Sequence, residues 1–160
     1  METVFESAHI RFVRLTEELM EDYLAMVNDI ERVAWFIGRR TEPFTLEEEQ
    51  AFVRGKLAEE EAIFSMLEKE SGAFIGNIEL MDIADGAGVL GIAITAGMQN
   101  RGYGREAIPA LIAYGLENLG LERITLNVYP ENARAIHVYE KCGFREVSRT
   151  ESDVCMAYDP

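Results

Sequence analysis

A short loop between an apolar run and a helix-forming segment carries the residue types of a phosphate-binding site. The loop is Gln99-Asn100-Arg101-Gly102-Tyr103-Gly104, and Arg105 begins the helical sequence that follows it. Its two glycines let successive backbone amides turn toward one ligand. The helix N-terminus adds unpaired amides and about half a positive charge. With Arg101 and Arg105 beside these amides, the segment predicts a site for a phosphate or a pyrophosphate.

Two familiar classes of phosphate loop can be compared with this segment directly. A Walker-type nucleotide site needs Lys and then Ser or Thr after the last glycine, whereas Gly104 is followed by Arg105 and Glu106. The dinucleotide fingerprint fits formally at Gly102, Gly104 and Ala107. It also needs an acidic residue at the end of the next strand to hold a ribose, and the predicted strand at 123–128 ends without one. A dinucleotide-binding oxidoreductase is therefore kept only as an alternative.

A second motif lies downstream, along a predicted helix and the turn that ends it. Together with Gln99-x-x-Gly102-x-Gly104, it resembles the two sequence motifs of the GNAT superfamily of N-acetyltransferases in order and spacing, and the resemblance covers the whole chain. Within that superfamily the chain is most similar to the group that includes the ribosomal-protein-alanine and spermidine N-acetyltransferases. The matching downstream positions are Asn132, Ala135, Tyr139, Lys141, Gly143 and Phe144.

The resemblance implies a cofactor and the residues that bind it. Acetyl-coenzyme A is expected as the acetyl donor, with its pyrophosphate on the whole loop from Gln99 to Arg105. By the same resemblance, the backbone of Ile92, Ala93 and Ile94 would bind the pantetheine and stabilise the oxyanion, because the strand splays from its neighbour. Asn132 would cap the following helix and also contact the cofactor arm. Lys141 would approach the cofactor's phosphates, although a solvated lysine remains the alternative.

Two residues are predicted to move protons during the transfer. By the same resemblance, Tyr139 is the candidate general acid for the leaving thiolate, since it lies one turn after Ala135 and, with a reference pKa of ~10, stays protonated at neutral pH. The alternative is a packed tyrosine whose hydroxyl is satisfied locally. Glu79 is the candidate general base, because strand alternation points it away from Ile78 and Leu80 and toward the cleft. A solvent-facing glutamate is the alternative there, and Asp82 or a water chain could serve instead.

The predicted function is direct transfer of an acetyl group from coenzyme A to an amine. A protein N-terminal or side-chain amine is expected first, and a polyamine or other small amine second. A function of a different class also fits the loop: a coenzyme A-binding regulatory module without catalysis. Tyr139 favours the enzyme, since a binding module has no need of a general acid.

Composition limits the partners. The formal charge of −14 argues against nucleic acid and would attract a cationic amine substrate, although solubility alone is the alternative explanation for an acidic chain. No apolar run is long enough to span a membrane, and the N-terminal residues do not resemble a signal peptide, so a cytoplasmic location is expected. Two cysteines and two isolated histidines predict no metal site. Related enzymes are often homodimers, and the alternating C-terminal strand predicts a sheet edge that could pair.

The elements that position these residues follow from hydrophobic periodicity. Residues 1–160 are expected to form a single α/β (α+β) domain with the GNAT fold: a mixed, mostly antiparallel central sheet with helices on both faces. Thr16 and Thr45 are predicted helix caps, the second with Phe52 and Val53 facing inward. Pro109 is expected to kink the helix after the loop or loosen its first turn. Predicted strands cover 11–15, 62–67, 73–83, 89–95, 123–128 and 153–158, and residues 31–44 are irregular.

Overall fold

The computed structural model describes residues 1–29, 42–59 and 61–160, which form one eight-stranded sheet with helices on both faces. The strands are β1 (Thr3–Glu6), β2 (Ile10–Arg14), β3 (Ala62–Glu68), β4 (Phe74–Ala84), β5 (Ala87–Ile94), β6 (Arg123–Val128), β7 (Arg145–Arg149) and β8 (Val154–Tyr158). The α-helices among the described residues are α1 (Met20–Asn28), α2 (Leu46–Ala58), α3 (Tyr103–Asn118) and α4 (Ala133–Lys141). Short 3-10 helices cover Glu17–Leu19 and Ala96–Met98. This architecture confirms the predicted fold class.

The sheet opens between β5 and β6. Its order is β1-β2-β3-β4-β5-β6-β8-β7, and every neighbouring pair is antiparallel except β5 and β6. That parallel pair covers only Ala87–Val89 against residues 123–125. Among the described residues, β5 therefore runs on through Ile94 without a ladder partner in β6, and the splay that the resemblance implied is present.

Each face of the sheet has its own hydrophobic core. On one face, α3 packs Ile108 and Leu111 against Ile78 and Leu80 of β4. On the other, α1 and α2 pack against a second cluster that includes Val13, Tyr23, Val53, Ile63 and Leu67. Strand alternation separates the strand residues of the two sets, since successive side chains point to opposite faces. The alternation is interrupted in β4 where the register shifts between Phe74 and Gly76, so Phe74 and Ile78 meet different cores although both have even numbers.

Local signals in the sequence fix two helix ends as predicted. At the start of α2, the backbone amide of Glu48 donates to Thr45 Oγ1 at 3.1 Å, and the amide of Thr45 donates to Glu48 Oε1 at 3.2 Å. This is the capping box. Beyond α4, Gly143 has a φ of +100°, and the amide of Phe144 donates to the Tyr139 carbonyl at 3.0 Å. The glycine thus ends the helix in the left-handed conformation that its lack of a Cβ permits.

Other elements differ from the sequence-based expectation. The strands β1 and β7 were not predicted, because their residues lack alternating apolar side chains; all five residues of β7 are exposed. With β7 present, β8 lies between β6 and β7, so the prediction of a free edge at the C-terminal strand is wrong. Phe52 is 43% exposed and does not face inward, whereas Val53 is buried. Most of the irregular segment predicted at 31–44 lies outside the described residues.

The helix after the loop is continuous at the proline. α3 extends from Tyr103 to Asn118 with Pro109 inside it, in its second turn. Ala107, Ile108 and Leu111 are buried against the sheet around that position. Packing on both sides of Pro109 therefore holds the helix together where one backbone hydrogen bond is lost, and the helix does not end there.

Candidate active site

A cleft of about 580 Å³ lies beside β5, at the N-terminus of α3 and along α4. Its walls bring together most of the residues that the sequence singled out, from three separate stretches of the chain. Those predicted and found here are Ile92, Ile94, Gln99, Asn100, Gly102, Tyr103, Gly104, Arg105, Asn132 and Tyr139. Those that sequence reasoning did not name as site residues are Met98, Ile108, Arg134, Ala135 and Val138.

The loop conformation depends on two left-handed residues. Asn100 has a φ of +66° and Gly102, the N-cap of α3, a φ of +86°. A Cβ placed on Gly102 would meet no atom within 4 Å, so its φ and not crowding favours glycine there. The Gln99 side chain donates from Nε2 to the Ile94 carbonyl at 3.0 Å and ties the loop to the end of β5. The first turn of α3 is thereby held with its free amides at the cleft.

Tyr103 anchors the loop on its other side. Its ring lines the cleft, and its hydroxyl donates a hydrogen bond to Glu68 at the end of β3. That hydrogen bond lowers the pKa of Glu68 and raises the pKa of the Tyr103 phenol. Gln99 and Tyr103 therefore fix the loop to two different strands.

The cleft is electropositive in a strongly acidic protein. Arg105 and Arg134 line it, and its described wall contains neither Asp nor Glu, against a formal charge of −14 for the chain. Arg134 lies in the first turn of α4, two residues after the cap Asn132. Its position at a predicted helix N-terminus could have identified it as a cleft residue from the sequence. Arg101 and Lys141 are exposed and do not line the cleft. Their contact with a cofactor stays a prediction.

Tyr139 lies in the wall of the cleft, on the face of α4 that Ala135 shares. It is 8% exposed, and its ring meets that of Phe144 at a centroid distance of 6.0 Å. Desolvation, with a smaller contribution from Cys142, raises the pKa of Tyr139 to about 12. No hydrogen-bond partner for its hydroxyl is found in the described part of the chain. The phenol is therefore packed but keeps a proton to donate.

Asn132 has the local role that the sequence predicted. Its Oδ1 accepts from the amide of Ala135 at 3.2 Å and so caps α4. Because Asn132 also lines the cleft, the same bond holds its amide group at the cavity wall.

Glu79 lies on the opposite face of the sheet, so its predicted direction toward the cleft is wrong. Its ladder partners are Ile63 of β3 and Gly91 of β5. The adjacent residues along β4 and β5, Ile78 and Ile92, point to the side of the cleft. The Glu79 side chain is 20% exposed, and its Oε2 lies 3.6 Å from Lys56 Nζ. It is not solvent-facing either, since burial is the main cause that raises its pKa. A Cβ on Gly91 would stand 3.4 Å from Glu79 Oε1, so the carboxylate lies directly over β5.

A chain of buried hydroxyls ends at Asn77 of β4, beside β5, on this same face. The amide of Thr16 donates to the Tyr23 hydroxyl at 3.2 Å, which lies 2.6 Å from Ser65 Oγ. Ser65 Oγ in turn donates to Asn77 Oδ1 at 2.9 Å. Because Ser65 gives its proton to Asn77, it accepts from Tyr23. Asn77 pairs with Ala93 of β5, and the sequence analysis had not identified this network.

The face of the sheet that carries Glu79 is acidic, whereas the cleft on the other face is basic. Glu49 of α2 is 5% exposed and packs near Tyr23, and burial raises its pKa. Glu61 lies 2.5 Å from Lys56 beside Glu79. The two sides of the splayed strand β5 therefore present opposite charge. Asp82, the other base considered, is exposed.

Comparison with known proteins places this geometry in context. A family model described as an acetyltransferase (GNAT) domain matches residues 9–145. An uncharacterized N-acetyltransferase of Bacillus subtilis is 29% identical over 64% of this chain and 61% of its own. The spermidine N(1)-acetyltransferase of Vibrio cholerae is 36% identical over 45% of this chain and 43% of its own. The matched segments thus span less than two thirds of either relative.

Solved structures share the fold along nearly the whole chain. An acetyltransferase of the GNAT family from Bacillus anthracis superposes with a TM-score of 0.83 at 19% identity, covering 96% of each chain. Spermidine N-acetyltransferase from Vibrio cholerae, in complex with CoA and spermine, superposes with a TM-score of 0.80 at 22% identity, covering 95% of this chain and 96% of that one. None of the described helices is long and apolar enough to cross a membrane. No cluster of three potential metal ligands is found in the described ranges.

Proposed function

The chain belongs to the GNAT acetyltransferase family, and from this premise we propose that it transfers an acetyl group from acetyl-coenzyme A directly to an amine. The observation that carries the proposal is the splay of β5 from β6 above a basic cleft, with an acidic, half-buried carboxylate on the other face. A thioester bound on one face of the sheet can meet an amine from the other face only where neighbouring strands separate. The gap beside β5 is that place.

The donor side suits a pyrophosphate. Amides at the N-terminus of α3, the left-handed Gly102 and the guanidinium groups of Arg105 and Arg134 converge on one cavity. Backbone donors and arginines are the groups that bind phosphate oxygens best. No ladder with β6 covers Ile92, Ala93 and Ile94, and the backbone groups there that point away from β4 would bind the pantetheine arm and a developing oxyanion. Gln99 already donates to the Ile94 carbonyl, and the Ala93 carbonyl lies against Gly76 of β4.

Tyr139 is proposed as the general acid. With its pKa raised to about 12, the phenol holds its proton at any physiological pH. A thiolate leaving from the reacting carbonyl needs such a donor, and one positioned acid contributes about 10²–10⁴-fold to a rate.

Glu79 is proposed as the general base. An ammonium has a pKa near ~10.4 and must lose a proton before it attacks a carbonyl. Burial raises the pKa of Glu79, which makes its carboxylate a better proton acceptor than an exposed glutamate. Its place over Gly91 puts it on the face from which the acceptor would come.

The acceptor is proposed to be cationic. Glu49, Glu61 and Glu79 lie on the face where the amine would enter, and carboxylates attract an ammonium before it is deprotonated. A protein amine and a polyamine both meet this requirement. The named activity of the Vibrio cholerae relative supports the second.

Calorimetric titration tests the donor site. Acetyl-coenzyme A should bind, and NAD, as the control for the dinucleotide alternative, should not. Release of free thiol in the presence of amines, with a lysine-bearing peptide, an N-terminal peptide and spermidine side by side, then tests turnover. Binding without thiol release from any amine would support a coenzyme A-binding module; no binding at all would contradict the proposal.

A further inference from the structure

We propose that Lys56 is a positioning residue for Glu79, keeping its carboxylate ionised beside β5, and that Glu61 competes with Glu79 for the same ammonium. This inference rests on the proposed role of Glu79 as general base. Neither Lys56 nor Glu61 lies in the cofactor cleft, and no sequence motif marks either of them.

Lys56 is held in place from two sides. It is 19% exposed and lies in the last turn of α2, with its Nζ 5.5 Å from the centroid of the Phe52 ring. The same Nζ lies 2.5 Å from Glu61 Oε2 and 3.6 Å from Glu79 Oε2. The first distance is a hydrogen-bonded ion pair, and the second is too long for a hydrogen bond.

At 3.6 Å from Glu79 Oε2, Lys56 does not give this oxygen a hydrogen bond. Its Oε2 is buried and accepts no hydrogen bond from the described residues. A buried carboxylate without hydrogen bonds stays charged only if an opposite charge is close. The Lys56 ammonium is the only cation that acts on it among the described groups.

Each described charged group that acts on Glu79 has a known place in the fold. Lys56 comes from α2 and favours the charged carboxylate, whereas Glu61, before β3, and Asp82, within β4, oppose it. The ladder partners Ile63 and Gly91 carry no charge. Lys56 is therefore shared between two carboxylates, of which the nearer, Glu61, is the more exposed at 34%.

The arrangement predicts opposite effects for two substitutions. In Lys56→Met, burial and the two acidic groups act on Glu79 unopposed, so its pKa should rise further. In Glu61→Gln, a negative charge is lost and the ammonium is released toward Glu79, so the pKa of Glu79 should fall. If Lys56 and Glu61 only stabilised the fold, the two substitutions would not shift the pKa of Glu79 in opposite directions.

Carbon-13 NMR of the glutamate carboxyl groups in the free enzyme measures this without any substrate, with Glu79→Gln to assign the signal. Lys56→Met should raise the titration midpoint of Glu79 by about one unit or more, the usual effect of an opposite charge at this range. Glu61→Gln should lower it, and Lys56→Arg should leave it near the parent value. Unchanged midpoints, or shifts of the same sign in Lys56→Met and Glu61→Gln, would overturn the inference. Circular dichroism confirms that each variant is folded.

The pH dependence of kcat/KM separates this inference from the proposed function. A base acts only when deprotonated, so activity falls as pH drops through the pKa of Glu79. The acid limb should therefore move to higher pH in Lys56→Met and to lower pH in Glu61→Gln. Shifted NMR midpoints with an unmoved limb would show that Lys56 controls Glu79 but that Glu79 is not the base, which overturns the catalytic part of the inference alone.

Discussion

At the scale of single residues, Tyr139 combines two properties that a general acid needs, because it lies in the cleft wall and its hydroxyl is not engaged by the described residues. Burial raises its pKa to about 12, which keeps the phenol protonated but makes it a weaker proton donor than an acid with a pKa near neutrality. The sequence predicted the role of Tyr139 from the family resemblance, together with its position one helical turn after Ala135. The absence of a hydrogen-bond partner depends on what surrounds the ring in space, which no local pattern contains.

Tyr139→Phe should separate binding from turnover. Removing the hydroxyl leaves the ring and its contact with Phe144, so affinity for acetyl-coenzyme A by calorimetry should change less than about twofold. Turnover, measured by thiol release, should fall by about 10² or more. Tyr114→Phe is the matched control, because Tyr114 stacks on Phe5 away from the cleft and should turn over normally. Undiminished turnover in Tyr139→Phe would exclude the tyrosine as the acid.

Glu79 shows where residue-scale prediction reaches its limit. Alternation correctly placed it on the face opposite to Ile78 and Leu80. Which face carries the cofactor cleft depends on how α3 and α4 fold back on the sheet, and alternation does not record this. Lys56, its partner, lies 23 positions away in the sequence, so only the folded chain brings the pair together.

At the scale of elements, hydrogen bonds to Glu106 in the first turn of α3 tie the loop at residues 99–104 to the rest of the fold. Glu106 accepts hydrogen bonds from the Ser7 hydroxyl, from the His9 amide at 2.9 Å, and from His9 Nδ1 at 2.7 Å. Ser7 and His9 belong to the turn between β1 and β2. Partial burial would raise the pKa of Glu106, but these hydrogen bonds outweigh it and lower the pKa.

Glu106→Gln should destabilise the fold in a pH-dependent way. A carboxyl whose pKa is depressed in the folded state stabilises it above its unfolded pKa, and the contribution disappears as pH falls through the folded value. The free energy of unfolding in urea should therefore drop by about 1–2 kcal/mol at pH 7, and the gap to the parent should close in acid. Glu117→Gln, exposed on the same helix, is the control and should change little. A gap that stays constant down to pH 3 would contradict this role of the Glu106 hydrogen bonds.

The loop itself makes a second prediction at this scale. Gly102→Ala places a Cβ on a residue with φ of +86°, at a cost of about 1 kcal/mol, which the loop would relieve by turning its amides. Affinity for acetyl-coenzyme A should weaken by about fivefold or more in calorimetry. Gly97→Ala, where a Cβ also meets nothing within 4 Å but φ is not in the left-handed range, should bind like the parent. Equal affinities would show that the φ of Gly102 is not needed.

Strands and helix ends were predicted well where apolar side chains alternate or a capping residue is present, and poorly where the sequence has neither signal. The capping box at Thr45 and the left-handed Gly143 follow from the sequence because their hydrogen bonds are local. The strands β1 and β7 were missed since each exists through pairing with a neighbour rather than through its own pattern. β3 at Ala62–Glu68 and β4 at Phe74–Ala84 agree with prediction within about one residue.

At the scale of the whole molecule, the net charge of the chain is negative, whereas the described charged side chains of the cleft wall are positive. The chain carries a formal −14, yet the cleft wall holds Arg105 and Arg134 without a described acidic residue. The excess acid therefore faces solvent and the other side of the sheet, where Glu49, Glu61 and Glu79 lie. The predicted homodimer and cytoplasmic location stay predictions.

Added salt should lower kcat/KM more strongly for a more cationic acceptor amine. A field from many acidic residues raises the encounter rate of a polycation, and salt screens it over about 8–10 Å at physiological ionic strength. Between about 20 and 200 mM salt, kcat/KM for a polyamine should fall several-fold more than for a monoamine of similar length, measured at saturating acetyl-coenzyme A. Parallel salt dependence for both amines would show that the net charge does not steer the acceptor.

The sheet separates the basic cleft from Glu79, since the two lie on opposite faces of β5. Two substrates that approach from opposite faces have no surface in common, so neither has to leave before the other arrives. Double-reciprocal plots should intersect, as in a sequential mechanism, and never run parallel as in a ping-pong one. Free coenzyme A should compete with the acetyl donor alone, leaving the acceptor amine to bind either form of the enzyme.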